Sequence, residues 1–153
     1  MQDLNIRDAC EDDLAFITGL IADDAIAAAR DKPTGEEARY QREAFAAIAA
    51  DPCHRLLVAE LAGTPVGSFQ LSFIPGVATG GAWRGQIEFV RVESTQRGAG
   101  IGEAMMRWAI AECAKRGCYL VQLTSDNQRP AAHRFYERLG FVGTHTGFKL
   151  KLS

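Results

Sequence analysis

Residues 90–102, Val90-Arg91-Val92-Glu93-Ser94-Thr95-Gln96-Arg97-Gly98-Ala99-Gly100-Ile101-Gly102, carry the densest chemical signal in the chain. An apolar strand ends, a polar turn follows, and three alternating glycines open a long helix. Glycine lets a backbone bend tightly and lets a ligand rest directly on the main chain. A helix that starts there turns its unpaired N–H groups and the positive end of its dipole outward. The result is an anion site suited to phosphate, and Arg97 adds a full positive charge at its mouth. A dinucleotide fingerprint, G-x-G-x-x-G, is excluded because Glu103 stands where its last glycine would fall. A nucleoside-triphosphate P-loop is excluded because no Gly-Lys-Ser/Thr follows. A phosphate-binding turn remains, with a glycine-rich turn that holds no ligand as the alternative.

Glu88 lies just ahead of this turn, among Ile87, Phe89 and Val90. In a regular strand residues i and i+2 share a face, so Glu88 is expected beside Val90, with Ile87 and Phe89 opposite. A carboxylate among apolar neighbours is costly to bury unpaired. A raised pKa or a water partner would follow, and both suit a general base. The alternative is a salt bridge to Arg84, Arg91 or Arg129.

The elements that must position these residues follow from periodicity and punctuation. Residues 4–7 alternate and predict a short first strand. Residues 11–29 have Ile17, Leu20, Ile21 and Ala25 at helical spacing, and Lys32-Pro33-Thr34-Gly35 breaks them off. Residues 36–50 predict a second helix, closed by Asp51-Pro52. Residues 55–61 and 66–73 form a hairpin. Residues 74–85 are an irregular connection containing Trp83, and such connections often carry function. Residues 86–92 are the strand that feeds the glycine turn. Residues 100–116 are a helix with Ile101, Met105 and Trp108 on one face and Gly117 as its stop. Residues 119–124 are almost continuously apolar, which predicts a central strand. Residues 130–139 are a helix with Pro130 in its first turn, and residues 141–142 and 147–152 are a closing strand pair. The order is that of an α/β domain with a mixed sheet.

Composition bounds the function. The 153 residues make one domain, 1–153, with 47% hydrophobic and 24% charged residues, as in soluble globular proteins. A net charge of −2 gives no general pull toward nucleic acid or an anionic membrane. No apolar run is long enough for a span and no secretory signal follows Met1. Cys10, Cys53, Cys113 and Cys118 form no Cys-x-x-Cys pair, which suits reduced thiols in a cytoplasm. His54, His133 and His145 have no metal-ligand spacing, so no metal site is expected. Exposed strand edges at residues 149–152 predict a homodimer.

The turn Arg97-x-x-Gly100-x-Gly102 resembles the pyrophosphate loop of the GNAT superfamily of N-acetyltransferases. Downstream, Ala132-His133-Arg134-Phe135-Tyr136-Glu137-Arg138-Leu139-Gly140-Phe141 is similar to the superfamily's A-x-x-F-Y-x-x-x-G-F segment. The two motifs stand in the family's order, and the resemblance covers essentially the whole chain. It implies the acyl-CoA N-acyltransferase fold: a six- or seven-stranded mixed sheet splayed between strands 4 and 5, with about four helices. It also implies acetyl-CoA as acyl donor. Arg97, Gly98, Ala99, Gly100, Ile101 and Gly102 would hold the pyrophosphate. The backbone of Val90, Arg91 and Val92 would pair with the pantetheine arm. Tyr136 matches the tyrosine that protonates the leaving thiolate, the alternative being an aromatic packed under the sheet. Glu88 matches the strand glutamate that deprotonates the amine through water.

One departure is notable. Arg129 stands where the family commonly has an asparagine that holds the pantetheine, and the nearest asparagine is Asn127. The run Leu123-Thr124-Ser125-Asp126-Asn127-Gln128-Arg129 with the following segment resembles a small-molecule branch that includes aminoalkylphosphonate acetyltransferases. For the acceptor, Asp23, Asp24 and Asp31 can attract an amine, and Trp83, Arg84 and Arg129 can hold an aromatic or acidic group. The expectation is an N-acetyltransferase acting on a small-molecule amine in a ternary complex. The alternatives are a non-catalytic acyl-CoA-binding or regulatory domain, a protein N-acetyltransferase, and a DNA-binding regulator, for which the chain lacks a basic face.

Overall fold

The computed structural model describes residues 4–24 and 35–152. Five strands form one sheet in the order β1-β2-β3-β4-β5. β1 (Leu4–Asp8), β2 (His54–Leu61), β3 (Thr64–Ile74) and β4 (Arg84–Val92) pair antiparallel in succession, and β5 (Leu120–Leu123) runs parallel to β4. The β2–β3 hairpin turns on Ala62 and Gly63, both at positive φ. Two left-handed residues match the right-handed twist of the strands they join.

The helices are α1 (Leu14–Ala22), α2 (Glu37–Ala50), a single turn α3 (Ala78–Gly81), α4 (Ile101–Lys115) and α5 (Pro130–Arg138). A 3-10 turn, Glu11–Asp13, leads into α1. It is fixed by Arg7, whose Nη1 and Nη2 donate to the buried Asp13 carboxylate at 2.7 and 2.9 Å while its Nε donates to Glu60. The rest of the first expected helix, beyond Asp24, and the break at 32–34 lie outside the described residues.

The core lies between the sheet and α4. Leu57, Phe69, Leu71 and Ile87 of the sheet meet Ile101, Met105, Met106, Ala109 and Cys113 of the helix. Full burial of such a side chain contributes about 1.5–3 kcal/mol. Two strand glycines let the helix come this close. A Cβ on Gly67 would sit 2.8 Å from Met105 Sδ, and one on Gly85 would collide with Cys113 Sγ. Packing of α4 against β3 and β4 therefore sets where its N-terminus stands relative to the end of β4. Gly117, at φ +76°, stops the helix as expected.

Two expectations are corrected. Residues 141–142 and 147–152 form no strand, so among the described residues the sheet has five strands and not six or seven. Phe148-Lys149-Leu150-Lys151-Leu152 alternates as a strand should, but alternation makes a strand only where a ladder partner exists. Phe148, Leu150 and Leu152 are all exposed. As a consequence β5 is an edge strand and not a central one, with Tyr119 and Leu120 exposed.

Candidate active site

The sheet opens between β4 and β5. Their pairing runs only from Arg84–Leu120 to Ile87–Leu123, and β4 continues to Val92 with no strand of the described residues on that side. At the opening β4 bulges. Ser68 pairs with Arg91 and Gln70 with Glu88, so Phe89 and Val90 together stand opposite Phe69. Phe89 takes φ +56°. A bulky aromatic there is a true outlier, a strain that surrounding structure has to hold in place. Bulges of this kind re-aim side chains next to functional sites.

The bulge corrects the expected placement of Glu88. Ile87, Val90 and Val92 pack with the core that faces α4. Glu88 and Arg91 stand opposite Gln70 and Ser68, which line the cavity under α1 and α2 together with Phe89 and Arg91. Glu88 thus shares a face with Arg91 and not with Val90, because two residues in a row occupy one pleat. It is also exposed and not enclosed by its apolar neighbours. Its carboxylate is exposed and makes no ion pair with a described residue, so the alternative reading, a salt bridge to Arg84, Arg91 or Arg129, is absent among them.

At the end of β4, Glu93 caps a 3-10 turn, Ser94–Gln96, by accepting from the Thr95 N–H and hydroxyl. These hydrogen bonds hold its carboxyl below the usual range. Gly98 and Gly100 follow at φ +83° and +81°, and α4 begins with Gly100 as N-cap and no side-chain cap. The first N–H groups of α4 are donors without a helical acceptor. Arg97 is exposed beside them, and an uncapped helix N-terminus of this kind is a general arrangement for an anion. A Cβ on Gly102 would lie 3.7 Å from Val92 and 3.8 Å from Phe135, which brings α4, β4 and α5 to one point.

Two carbonyls on the open edge of β4 are held by arginines. Arg91 Nη1 donates to the Val90 carbonyl at 2.9 Å, and Arg97 Nε donates to the Val92 carbonyl at 3.2 Å. A carbonyl oxygen has two lone pairs, so each can accept a second donor.

Tyr136 lies on α5 among Phe135 and Phe141, with ring centroids 5.2 and 6.1 Å away. Burial pushes its phenol above the usual value, and the nearby charges of Arg91 and Arg129 pull the other way. It is therefore a protonated donor at neutral pH. Arg129, at the position where the family commonly has asparagine, is paired with an acid. Its Nη2 lies 2.7 Å from both carboxylate oxygens of Asp24, and Arg91 Nη2 reaches the same carboxylate at 2.6 Å. Asn127 is exposed in the turn that Asp126 closes with the Gln128 N–H.

The fold thus brings together Glu88, Val90, Arg91, Val92, the 97–102 turn, Arg129 and Tyr136. It does not bring in Trp83 and Arg84, which begin the opposite end of β4, where Arg116 stacks over Trp83. Asp24 joins the site as the partner of two arginines and not as a lone acid for an amine. Asp23 is exposed, and Asp31 lies outside the described residues. Sequence reasoning did not find the Asp24 hub, in which Arg129 is 105 positions away. Nor did it find the bulge, since a phenylalanine is the last residue to suggest a left-handed backbone. Among the described residues no cluster of His, Cys, Asp and Glu can hold a metal ion, and no helix is long and apolar enough to cross a membrane.

Comparison with known proteins agrees with this geometry. Residues 22–141 match the model of the acetyltransferase (GNAT) family. The chain is 34% identical over 116 residues to an aminoalkylphosphonate N-acetyltransferase from Salmonella typhimurium, covering 73% of each chain. It is 37% identical over 90 residues to a glucosamine 6-phosphate N-acetyltransferase from Trypanosoma brucei brucei, covering 59% of each. Among solved structures it is similar to one described as a transcriptional regulator from Bacillus halodurans. That match has 40% identity and a TM-score of 0.91, over 97% of this chain and 99% of the other.

Proposed function

The chain belongs to the acetyltransferase (GNAT) family, and from that premise we propose that it transfers acetyl from acetyl-CoA to the primary amine of a small molecule by direct attack in a ternary complex. The observation that carries the reading is the uncapped N-terminus of α4 set beside the open end of β4. The first supplies donors for a pyrophosphate, and the second supplies an unpaired strand edge for the amide-bearing arm that follows it.

Acetyl-CoA supplies the activated acyl group as a thioester. The chain's own residues do the rest. The 97–102 turn binds phosphate, and the edge from Val90 to Val92 aligns the arm as an extra strand. Glu88, exposed on the acceptor face, takes the proton an ammonium must lose, through water. A bulge N–H near Val90 stabilises the oxyanion. The N–C bond forms with the oxyanion, and as that intermediate collapses and the C–S bond breaks, the Tyr136 hydroxyl gives its proton to the departing thiolate. Arg91 and Arg129 carry positive charge near that hydroxyl, which favours the charged product side of its proton transfer.

We place the protein in the cytoplasm, a reading supported by its four free thiols. We read it as a homodimer with no membrane or nucleic-acid partner. The exposed Phe148, Leu150 and Leu152 support the first of these. The decisive experiment is a screen of amines with acetyl-CoA, read by thiol release and product mass. Similarity to the Bacillus halodurans protein, described as a transcriptional regulator, favours a second reading, a regulator that binds DNA. Salt-dependent DNA binding tests it, with the net charge of −2 arguing against.

A further inference from the structure

Between α1, α2 and the sheet lies a cavity of about 250 Å³. Leu14, Ile17 and Leu20 of α1, Phe45 and Ile48 of α2, and Phe89 of β4 give it an almost wholly apolar wall. α2 has no fully buried residue, although Phe45 and Ile48 are turned to the cavity. Among the described residues the two helices therefore present apolar side chains to the space. Among the described residues, Arg91 is the charged side chain of the wall, and it is ion-paired with Asp24. The cavity also reaches the chemistry, because Phe89 follows Glu88 directly in the bulge.

Phe89 is the telling residue. It is 53% exposed and held at φ +56°. A strained backbone that presents an aromatic ring to open space on the acceptor side is what a recognition platform requires. A core residue would have no use for either feature.

We propose that the acceptor amine carries an apolar body, aromatic or branched aliphatic, which lies in this cavity against Phe89 with its nitrogen at Glu88. This rests on the acetyl-transfer reading above. It differs from the phosphorus-bearing amines in the names of the Salmonella and Trypanosoma relatives. An apolar wall cannot repay the desolvation of a phosphate, whereas it gains from each buried methylene.

The test compares phenethylamine and 3-methylbutylamine with 2-aminoethylphosphonate and glucosamine 6-phosphate as acceptors, at saturating acetyl-CoA. The two apolar amines should give kcat/KM at least ~10-fold higher, as expected for burying several methylenes. Higher values for either phosphorus-bearing amine would overturn the proposal. Phe89→Gly removes the ring while relieving the left-handed strain, so it should fold. It should raise KM for phenethylamine ~10-fold or more and leave KM for acetyl-CoA unchanged. An unchanged KM for phenethylamine would overturn the platform.

Calorimetric titration of phenethylamine into the protein, with and without coenzyme A, separates the two readings. Binding of phenethylamine with thiol release from none of the four amines supports the cavity and counts against the transfer reading. Thiol release with the phosphorus-bearing amines alone keeps the transferase and removes the cavity assignment. No binding of either apolar amine also overturns it.

Discussion

Arg129 Nη2 sits 2.7 Å from both carboxylate oxygens of Asp24, joining the end of α1 to the start of α5. Arg91 of β4 completes the cluster from the third side. One buried carboxylate thus neutralises part of two guanidinium charges and ties the acceptor-side helix to both walls of the opening. Removing its charge takes a shared counter-ion from two arginines. Asp24→Asn should therefore cost about 2–4 kcal/mol, toward the low end because both arginines are partly exposed. Urea unfolding measures it, and a loss under about 0.5 kcal/mol, within the range of an ordinary surface substitution, would show that the cluster contributes little.

Arg97 should matter for the cofactor and not for the fold. Its Nε bonds the Val92 carbonyl from an exposed position. Gly100 is a poorer probe, since any side chain at φ +81° strains the backbone whether or not a ligand binds. Arg97→Ala should weaken coenzyme A binding about tenfold or more, the usual worth of one charge-assisted hydrogen bond. Its thermal unfolding should be unchanged. Equal affinity in calorimetry would remove Arg97 from the phosphate site.

The sequence made this turn legible because its glycines do a job no other residue can do. Gly98 and Gly100 stand in the left-handed region, and alternating glycines ahead of a periodic apolar run announce it. The core was legible for a similar reason, since Ile101, Met105 and Trp108 repeat at helical spacing. Ile101 and Met105 are buried and Trp108 packs partly buried against the same core. Strand alternation was a weaker guide. It failed at Glu88, where a bulge adds a residue to the pleat, and at residues 147–152, where the pattern exists without a partner. The Asp24 cluster could not be read from local pattern at all. It is made of residues from three elements, and only the fold decides which acid meets which arginine.

Acid should loosen the start of α1 through Asp13. Arg7 hydrogen bonds hold its carboxyl at about 2, against desolvation that acts the other way. A depressed folded value means stability that is present above the unfolded carboxylate value, about 3.9, and is lost as pH falls toward 2. The Tm of Asp13→Asn should therefore lie below that of the unmodified protein at neutral pH. The gap should close between about pH 4 and about pH 2. A gap independent of pH would assign the effect to packing.

The exposed C-terminal residues predict a change of assembly. Phe148, Leu150 and Leu152 are 93%, 86% and 89% exposed, on alternate positions of one segment. An exposed apolar row of this kind is a surface that another chain can cover. Phe148→Glu with Leu150→Glu should turn a dimer into a monomer in light scattering at micromolar concentration. A monomer before substitution would end the dimer reading.

Proton transfer offers the sharpest test of mechanism. Tyr136 is packed between Phe135 and Phe141, so Tyr136→Phe removes one hydroxyl and leaves the ring contacts in place. Stability should change little. As the acid for the thiolate, its loss should lower turnover by roughly 10²–10⁴ with acetyl-CoA binding nearly untouched. Full turnover would remove it from the mechanism. Glu88 acts on the other proton. Because it is exposed, Glu88→Gln should not disturb the fold. Its rate loss should be largest at low pH, where the acceptor is most protonated, and should shrink as pH rises and free amine accumulates. A loss that stays flat from acid to alkaline pH would make Glu88 a residue that positions the acceptor. In that case the proton would leave the amine directly to water at the open edge of β4, and the rate would follow the acceptor's own ionisation in both proteins alike.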